Sequence, residues 1–101
     1  MIEKPFVIKQ EKFFDKRGFF QEIVLKKKIK IPILFTAVVE SKKNVIRGLH
    51  FQKRHKQTKI IHVIDGKILD VVVNLKKKSK NYGKVYKFIL NKGDILYVPN
   101  F

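Results

Sequence analysis

Apolar and polar positions alternate with a period of two along most of this chain. That period sends successive side chains to opposite faces of an extended strand. The clearest stretch covers residues 84–90, where Val85, Lys87 and Ile89 fall on one face and Tyr86, Phe88 and Leu90 on the other. Residues 5–9 predict a short first strand. Residues 11–18 predict a strand end and a turn, with Asp15 and Gly18 as the turn residues, and 19–25 resume a β run. Residues 33–40 are rich in β-formers (Ile33, Phe35, Thr36, Val38, Val39), and Ser41-Lys42-Lys43-Asn44 predicts a turn. An apolar strand then opens at Val45 and continues over 47–52, which puts His50 and Gln52 on one face and Phe51 on the other. After a basic loop at 53–56, residues 57–73 read as two apolar strands joined at Asp65-Gly66, a strong two-residue hairpin signal. A loop at 76–83, the strand 84–90 and a turn at Asn91-Lys92-Gly93-Asp94 lead into a last strand, Ile95-Leu96-Tyr97-Val98.

Some eight short strands, with turn signals every eight to twelve residues, argue for an all-β sandwich or barrel. No amphipathic helix of four turns and no internal repeat is visible. The strand at 95–98 is followed by Pro99-Asn100-Phe101 and shows no return partner. The expectation is therefore an all-β barrel or jelly roll that is incomplete at its C-terminal side. Another subunit then covers the open edge, or the chain is a fragment.

Composition narrows the class. The 101 residues, 45% of them hydrophobic with three Pro and five Gly, fit one domain over 1–101 with one core and not a disordered chain. No apolar run approaches the roughly 20 residues of a membrane helix, and the first residues carry no signal-peptide pattern. No membrane association is expected, and a cytoplasmic setting is the default. The absence of cysteine excludes disulfides and thiolate metal sites. The formal charge is +16, with dense runs at Lys26-Lys27-Lys28 and Lys76-Lys77-Lys78. Such a field attracts polyanions. All but three of the twenty-four cations are lysine, however, and they are spread along the chain without an organised stacking pattern. A solvated surface is the preferred reading, and nucleic acid is ranked last among partners.

The densest chemistry lies at Asn44-Val45-Ile46-Arg47-Gly48-Leu49-His50-Phe51-Gln52. A guanidinium suited to a phosphate or carboxylate sits close to a base that titrates near neutral pH. The segment partly follows the first metal-binding motif of cupins, but Gln52 and Gln57 stand where His and Glu ligands belong. Glutamine is a poor ligand for a divalent metal, so none is expected. His50 is then a candidate general base.

Four segments together resemble one family. They are Phe14-Asp15-Lys16-Arg17-Gly18-Phe19-Phe20-Gln21-Glu22; Val45-Ile46-Arg47-Gly48-Leu49-His50-Phe51-Gln52; Gln57-Thr58-Lys59-Ile60-Ile61 with Gly66 and Asp70-Val71-Val72-Val73-Asn74-Leu75; and Ser79-Lys80-Asn81-Tyr82-Gly83-Lys84. In order and spacing they look like dTDP-4-dehydrorhamnose 3,5-epimerases, cupin-fold isomerases of dTDP-rhamnose and surface polysaccharide (lipopolysaccharide) biosynthesis. The resemblance implies a cupin-like fold and a dTDP-4-keto-6-deoxy sugar substrate. It implies no cofactor, and a homodimer that exchanges N-terminal strands. It makes His50 the general base, Lys59 the cation beside the developing enolate, and Asp70 a supporting inward-facing acid. Arg47 is implied at the phosphates, Gln52 at the substrate, and Arg17 and Glu22 at the nucleotide end.

Departures from the pattern accompany it. Phe35, Thr36 and Ala37 occupy the place of a substrate-contacting Gln-x-Asn segment, and Asn74 stands where an aspartate is usual. The family's proton-returning tyrosine and histidine-orienting aspartate belong to a segment beyond Phe101. The isolated chain is therefore expected to show little or no full turnover. The rival readings are a nucleotide-sugar-binding remnant without activity and a related sugar ketoisomerase.

Overall fold

The computed structural model describes residues 4–24, 32–51, 53–54 and 57–100. These residues contain seven strands and no helix: β1 (Phe6–Ile8), β2 (Lys12–Asp15), β3 (Gly18–Gln21), β4 (Lys59–His62), β5 (Lys67–Val73), β6 (Val85–Asn91) and β7 (Ile95–Val98). All pairings are antiparallel, in a three-stranded sheet of order β1-β7-β4, a β5-β6 ribbon and a β2-β3 hairpin.

Alternation along the strands builds the interior. On β4 and β7, Ile61, Leu96 and Val98 turn toward the β5-β6 ribbon. There they meet Val72, Tyr86, Phe88 and Leu90 around a cluster completed by Val63. Leu90 and Leu96 are fully buried at its centre. The opposite face of the three-stranded sheet carries a smaller cluster of Ile8, Ile60, Ile95 and Tyr97. The Phe6 ring stacks on Tyr97 with centroids 5.0 Å apart.

Two expectations about pairing are corrected. The last strand is not left without partners: β7 lies in the middle of its sheet, with Phe6 opposite Tyr97 on one side and Ile60 opposite Tyr97 on the other. Nor does Asp65-Gly66 close a hairpin. β4 pairs with β7, and β5 with β6, so the turn carries the chain from one sheet to the other. The reason lies at Val63, whose N–H donates to the Asp94 carbonyl and whose carbonyl accepts from the Gly93 N–H. These bonds hold the end of β4 on the β6-β7 turn. Gly66 has φ +86°, but Asp65 does not share the left-handed region, so the tight hairpin turn that needs both residues there is not formed.

The strands expected over 33–40 and 45–52 are also absent among the described residues, with Gln52 lying outside them. Every described residue from 32 to 51 is exposed and outside any strand. β-rich composition makes a strand only where a neighbouring strand takes up its backbone N–H and C=O groups. No described strand pairs with this segment.

Candidate functional site

Two of the candidate residues lie on strands whose sheets pack together and act on each other electrostatically. Lys59 opens β4 opposite Val98 and lies on the same face as Ile61. Asp70 lies on β5 opposite Phe88 and on the same face as Val72. Both therefore lie on the inner faces of their sheets. Asp70 is half-buried, and burial pushes its carboxyl above the usual carboxylate range, while the Lys59 ammonium pulls it partly back. Lys59 itself is exposed, so a solvent-facing cation lies within electrostatic reach of a half-buried, reluctantly ionised acid. Such a pair suits charge that develops on a small polar ligand.

A third polar group enters from β6. Tyr86 stands opposite Val72 and packs against the interior cluster. Its hydroxyl is buried, without a hydrogen-bond partner among the described residues. Sequence alternation puts Tyr86 on the inner face but gives it no role. A tyrosine among Phe88 and Leu90, where phenylalanine would serve for packing alone, is the signal that was there to be used.

The other candidates lie elsewhere. Arg47 and His50 belong to the exposed segment 32–51. The Arg47 guanidinium donates from Nε to Ser41 Oγ at 2.7 Å and from Nη2 to the Glu40 carbonyl at 3.0 Å. Gly48 has φ +107°, and a side chain there would come within 3.6 Å of His50 Nδ1. Arg17 turns back on its own β-turn. Its backbone N–H and Nη2 each donate to the Asp15 carboxylate at 2.7 Å, which holds that carboxyl below the usual range. Since the Arg17 side chain is 91% exposed, this pair is worth little and leaves the guanidinium available to a phosphate. Glu22 is exposed just after β3, and Gln52 lies outside the described residues.

A hollow of about 360 Å³ lies where the β2-β3 hairpin meets the β6-β7 turn, lined in part by Ile8, Lys12, Gln21 and Asp94. Neither Lys59 nor Asp70 lines it, so its size does not make it the site. Among the described residues no three His, Asp or Glu side chains gather as a metal site. Nor is any helix among them long and apolar enough to cross a membrane.

The family model for dTDP-4-dehydrorhamnose 3,5-epimerase matches residues 1–101. The chain belongs to the dTDP-4-dehydrorhamnose 3,5-epimerase family. Relatives bearing that name include one from Methanothermobacter thermautotrophicus, 34% identical over 88 residues, covering 82% of this chain and 48% of the relative. Another, from Salmonella typhimurium, is 33% identical over 90 residues, covering 82% of this chain and 49% of the relative. The crystal structure of the epimerase from Sulfolobus tokodaii superposes with a TM-score of 0.81 at 40% identity, over 94% of this chain and 58% of that one. The Bacillus anthracis epimerase, solved with TDP and PPi bound, gives 0.81 at 35% identity, over 95% of this chain and 60% of that one. The all-β architecture expected from the strand pattern, and the cupin-like fold that the family resemblance implies, are those of these epimerases. The chain spans about half the length of the curated relatives it matches.

Proposed function

We propose that this chain acts in 3,5-epimerisation of a dTDP-4-keto-6-deoxy sugar, the dTDP-4-dehydrorhamnose reaction. The observation that carries the reading is the Lys59–Asp70 pair on the inner faces of β4 and β5, in a chain matched end to end by the epimerase model. The C4 ketone acidifies the hydrogens on C3 and C5. Removal of either leaves an enolate, and return of a proton to the opposite face inverts the carbon. His50, the base in this reading, takes the proton with an imidazole suited to neutral pH. Lys59 stabilises the enolate oxygen, and Asp70 supports the lysine from across the interior. Arg47, Arg17, Glu22 and Gln52 hold the nucleotide and its phosphates, where a planar fork matches phosphate oxygens. No cofactor takes part.

The same reading includes a homodimer that exchanges N-terminal strands. It is supported by β1, a three-residue strand paired on one side only among the described residues, whose Phe6 and Val7 remain 37% and 40% exposed. It includes a cytoplasmic setting and a product that feeds surface polysaccharide.

A second reading is a nucleotide-sugar binder without turnover. It is favoured by the exposure of the segment bearing Arg47 and His50. Proton NMR of dTDP-4-keto-6-deoxyglucose in D₂O separates the two, because isotope exchange reads the abstraction step alone. The epimerase reading expects deuterium at C3 and C5, slowed by about 10²-fold or more in His50→Ala and by about 10²–10³-fold in Lys59→Met. Bound substrate that keeps its C3 and C5 protons would leave the binder. Conversion to a keto-sugar isomer would instead mark a ketoisomerase.

A further inference from the structure

Three polar groups lie on the inner-facing sides of three successive strands: Lys59, exposed at the start of β4, Asp70, half-buried on β5, and Tyr86, half-buried on β6. Around them the walls are apolar, with Ile61, Val72, Phe88, Leu96 and Val98. Lys59 and Asp70 answer each other electrically. Tyr86 has no such answer. Lys84 Nζ lies 5.2 Å from the centre of its ring, a contact with the aromatic face and not with the hydroxyl. Its hydroxyl is buried and has no hydrogen-bond partner among the described residues. Buried tyrosine hydroxyls normally find a partner, and phenylalanine would fill the same space without the need for one. Two residues along the ribbon, and next on the same face, Asp70 stands opposite Phe88, so Tyr86 and Asp70 are one diagonal step apart on that inner face.

We propose that the Tyr86 hydroxyl hydrogen-bonds a hydroxyl of the sugar ring in the bound nucleotide sugar, which makes Tyr86 a specificity-determining residue. The inference rests on the epimerase reading above and adds a contact to it. The chemistry fits the division of labour in the interior. A cation belongs at the oxygen where negative charge develops. A neutral phenol, able both to donate and to accept, suits a neutral sugar hydroxyl and rejects ligands that lack it. The contact is to the sugar, so it adds nothing to the affinity for the nucleotide alone.

Calorimetric titration of the chain with dTDP and with dTDP-glucose tests this directly, alongside thermal unfolding. Tyr86→Phe keeps the ring and removes only the hydroxyl. Tyr82→Phe, in the exposed loop before β6, serves as the control. The proposal expects Tyr86→Phe to bind dTDP within about twofold of wild type, to bind dTDP-glucose roughly tenfold more weakly, and to unfold at an unchanged or higher temperature. Tyr82→Phe should match wild type in both titrations. Equal dTDP-glucose affinity in wild type and Tyr86→Phe would overturn the role of Tyr86 and leave the epimerase reading standing. So would a fall in melting temperature that weakens both ligands alike, since the hydroxyl would then serve the fold. A wild-type chain that binds neither ligand would remove the epimerase reading, and this inference with it.

Discussion

Leu96 is the side chain through which the two halves of the interior are clamped, and Leu96→Ala measures that clamp. Leu96 is fully buried on the central strand β7, opposite Val7 of β1 and Ile61 of β4. Its side chain meets Val63, Val72 and Leu90, so it joins the three-stranded sheet to the β5-β6 ribbon. The substitution removes three carbons. At about 0.8 kcal/mol for each buried methylene the transfer term is about 2.4 kcal/mol. The cavity left behind brings the cost to about 3–4 kcal/mol, within the range of buried Leu→Ala changes. A domain of this size holds only about 5–15 kcal/mol in all, and each kcal/mol lowers its melting temperature by about 4–8 °C. Ile89→Ala is the control. Ile89 lies on the outward face of β6 and is 64% exposed, so its truncation should cost under about 1 kcal/mol. Urea titration followed by circular dichroism reads both, with a shifted midpoint at constant slope as the expected form. If Leu96→Ala costs no more than Ile89→Ala, the sheets are not held together through this cluster. The facing of Lys59 and Asp70 would then lose its structural basis.

Two further outcomes follow from groups near the interior. Asp70 has its pKa raised by burial in the folded chain, so its contribution favours folding below the ordinary carboxylate pKa and is lost as pH rises through the raised value. Asp70→Asn should abolish that loss, and Lys59→Met should push the Asp70 titration higher still. Urea unfolding at a series of pH values checks the first and carboxyl NMR titration the second, and an Asp70 that titrates normally and ignores Lys59 would refute the pairing. Asn74 is wholly buried, and its side chain accepts the Lys76 N–H at 2.8 Å. Its backbone bonds Lys84 and Gly83, so it closes the base of the 74–84 loop. Asn74→Ala should cost about 1–3 kcal/mol and speed hydrogen exchange at residues 76–83, whereas unchanged exchange would show that the loop is held by its backbone alone.

How much of this was legible depends on whether the information was local. Strand β6 could be read residue by residue, because alternation is a property of neighbours in sequence, and the inner face of Tyr86, Phe88 and Leu90 came with it. The partner of each strand was not local. Asp65-Gly66 carries every local mark of a hairpin, yet the bonds from Val63 to Gly93 and Asp94 decide otherwise. The same limit applies to the segments 33–40 and 45–52. Their composition is that of strands, but composition does not supply the neighbouring ladder a strand requires. At the site, Lys59 and Asp70 were named from a motif and then found on facing strands. Arg47 and His50, named with equal force, lie in the exposed segment. A motif records which residues act together, whereas their approach depends on how distant pieces of chain pack.

The position of β7 has a consequence for time as well as for shape. The β2-β3 and β5-β6 pairs join segments close in sequence, and such ribbons form within microseconds. The three-stranded sheet cannot follow the same schedule. Its middle strand comes after every other described strand, and Phe6 must wait for Tyr97, ninety-one residues further on. Chains that depend on such distant pairings fold in milliseconds to seconds, with their strand edges open meanwhile. During synthesis Phe6, Val7, Ile60 and Ile61 are made long before the strand that joins them. For that interval the chain's own apolar edges compete with every other sticky surface in reach.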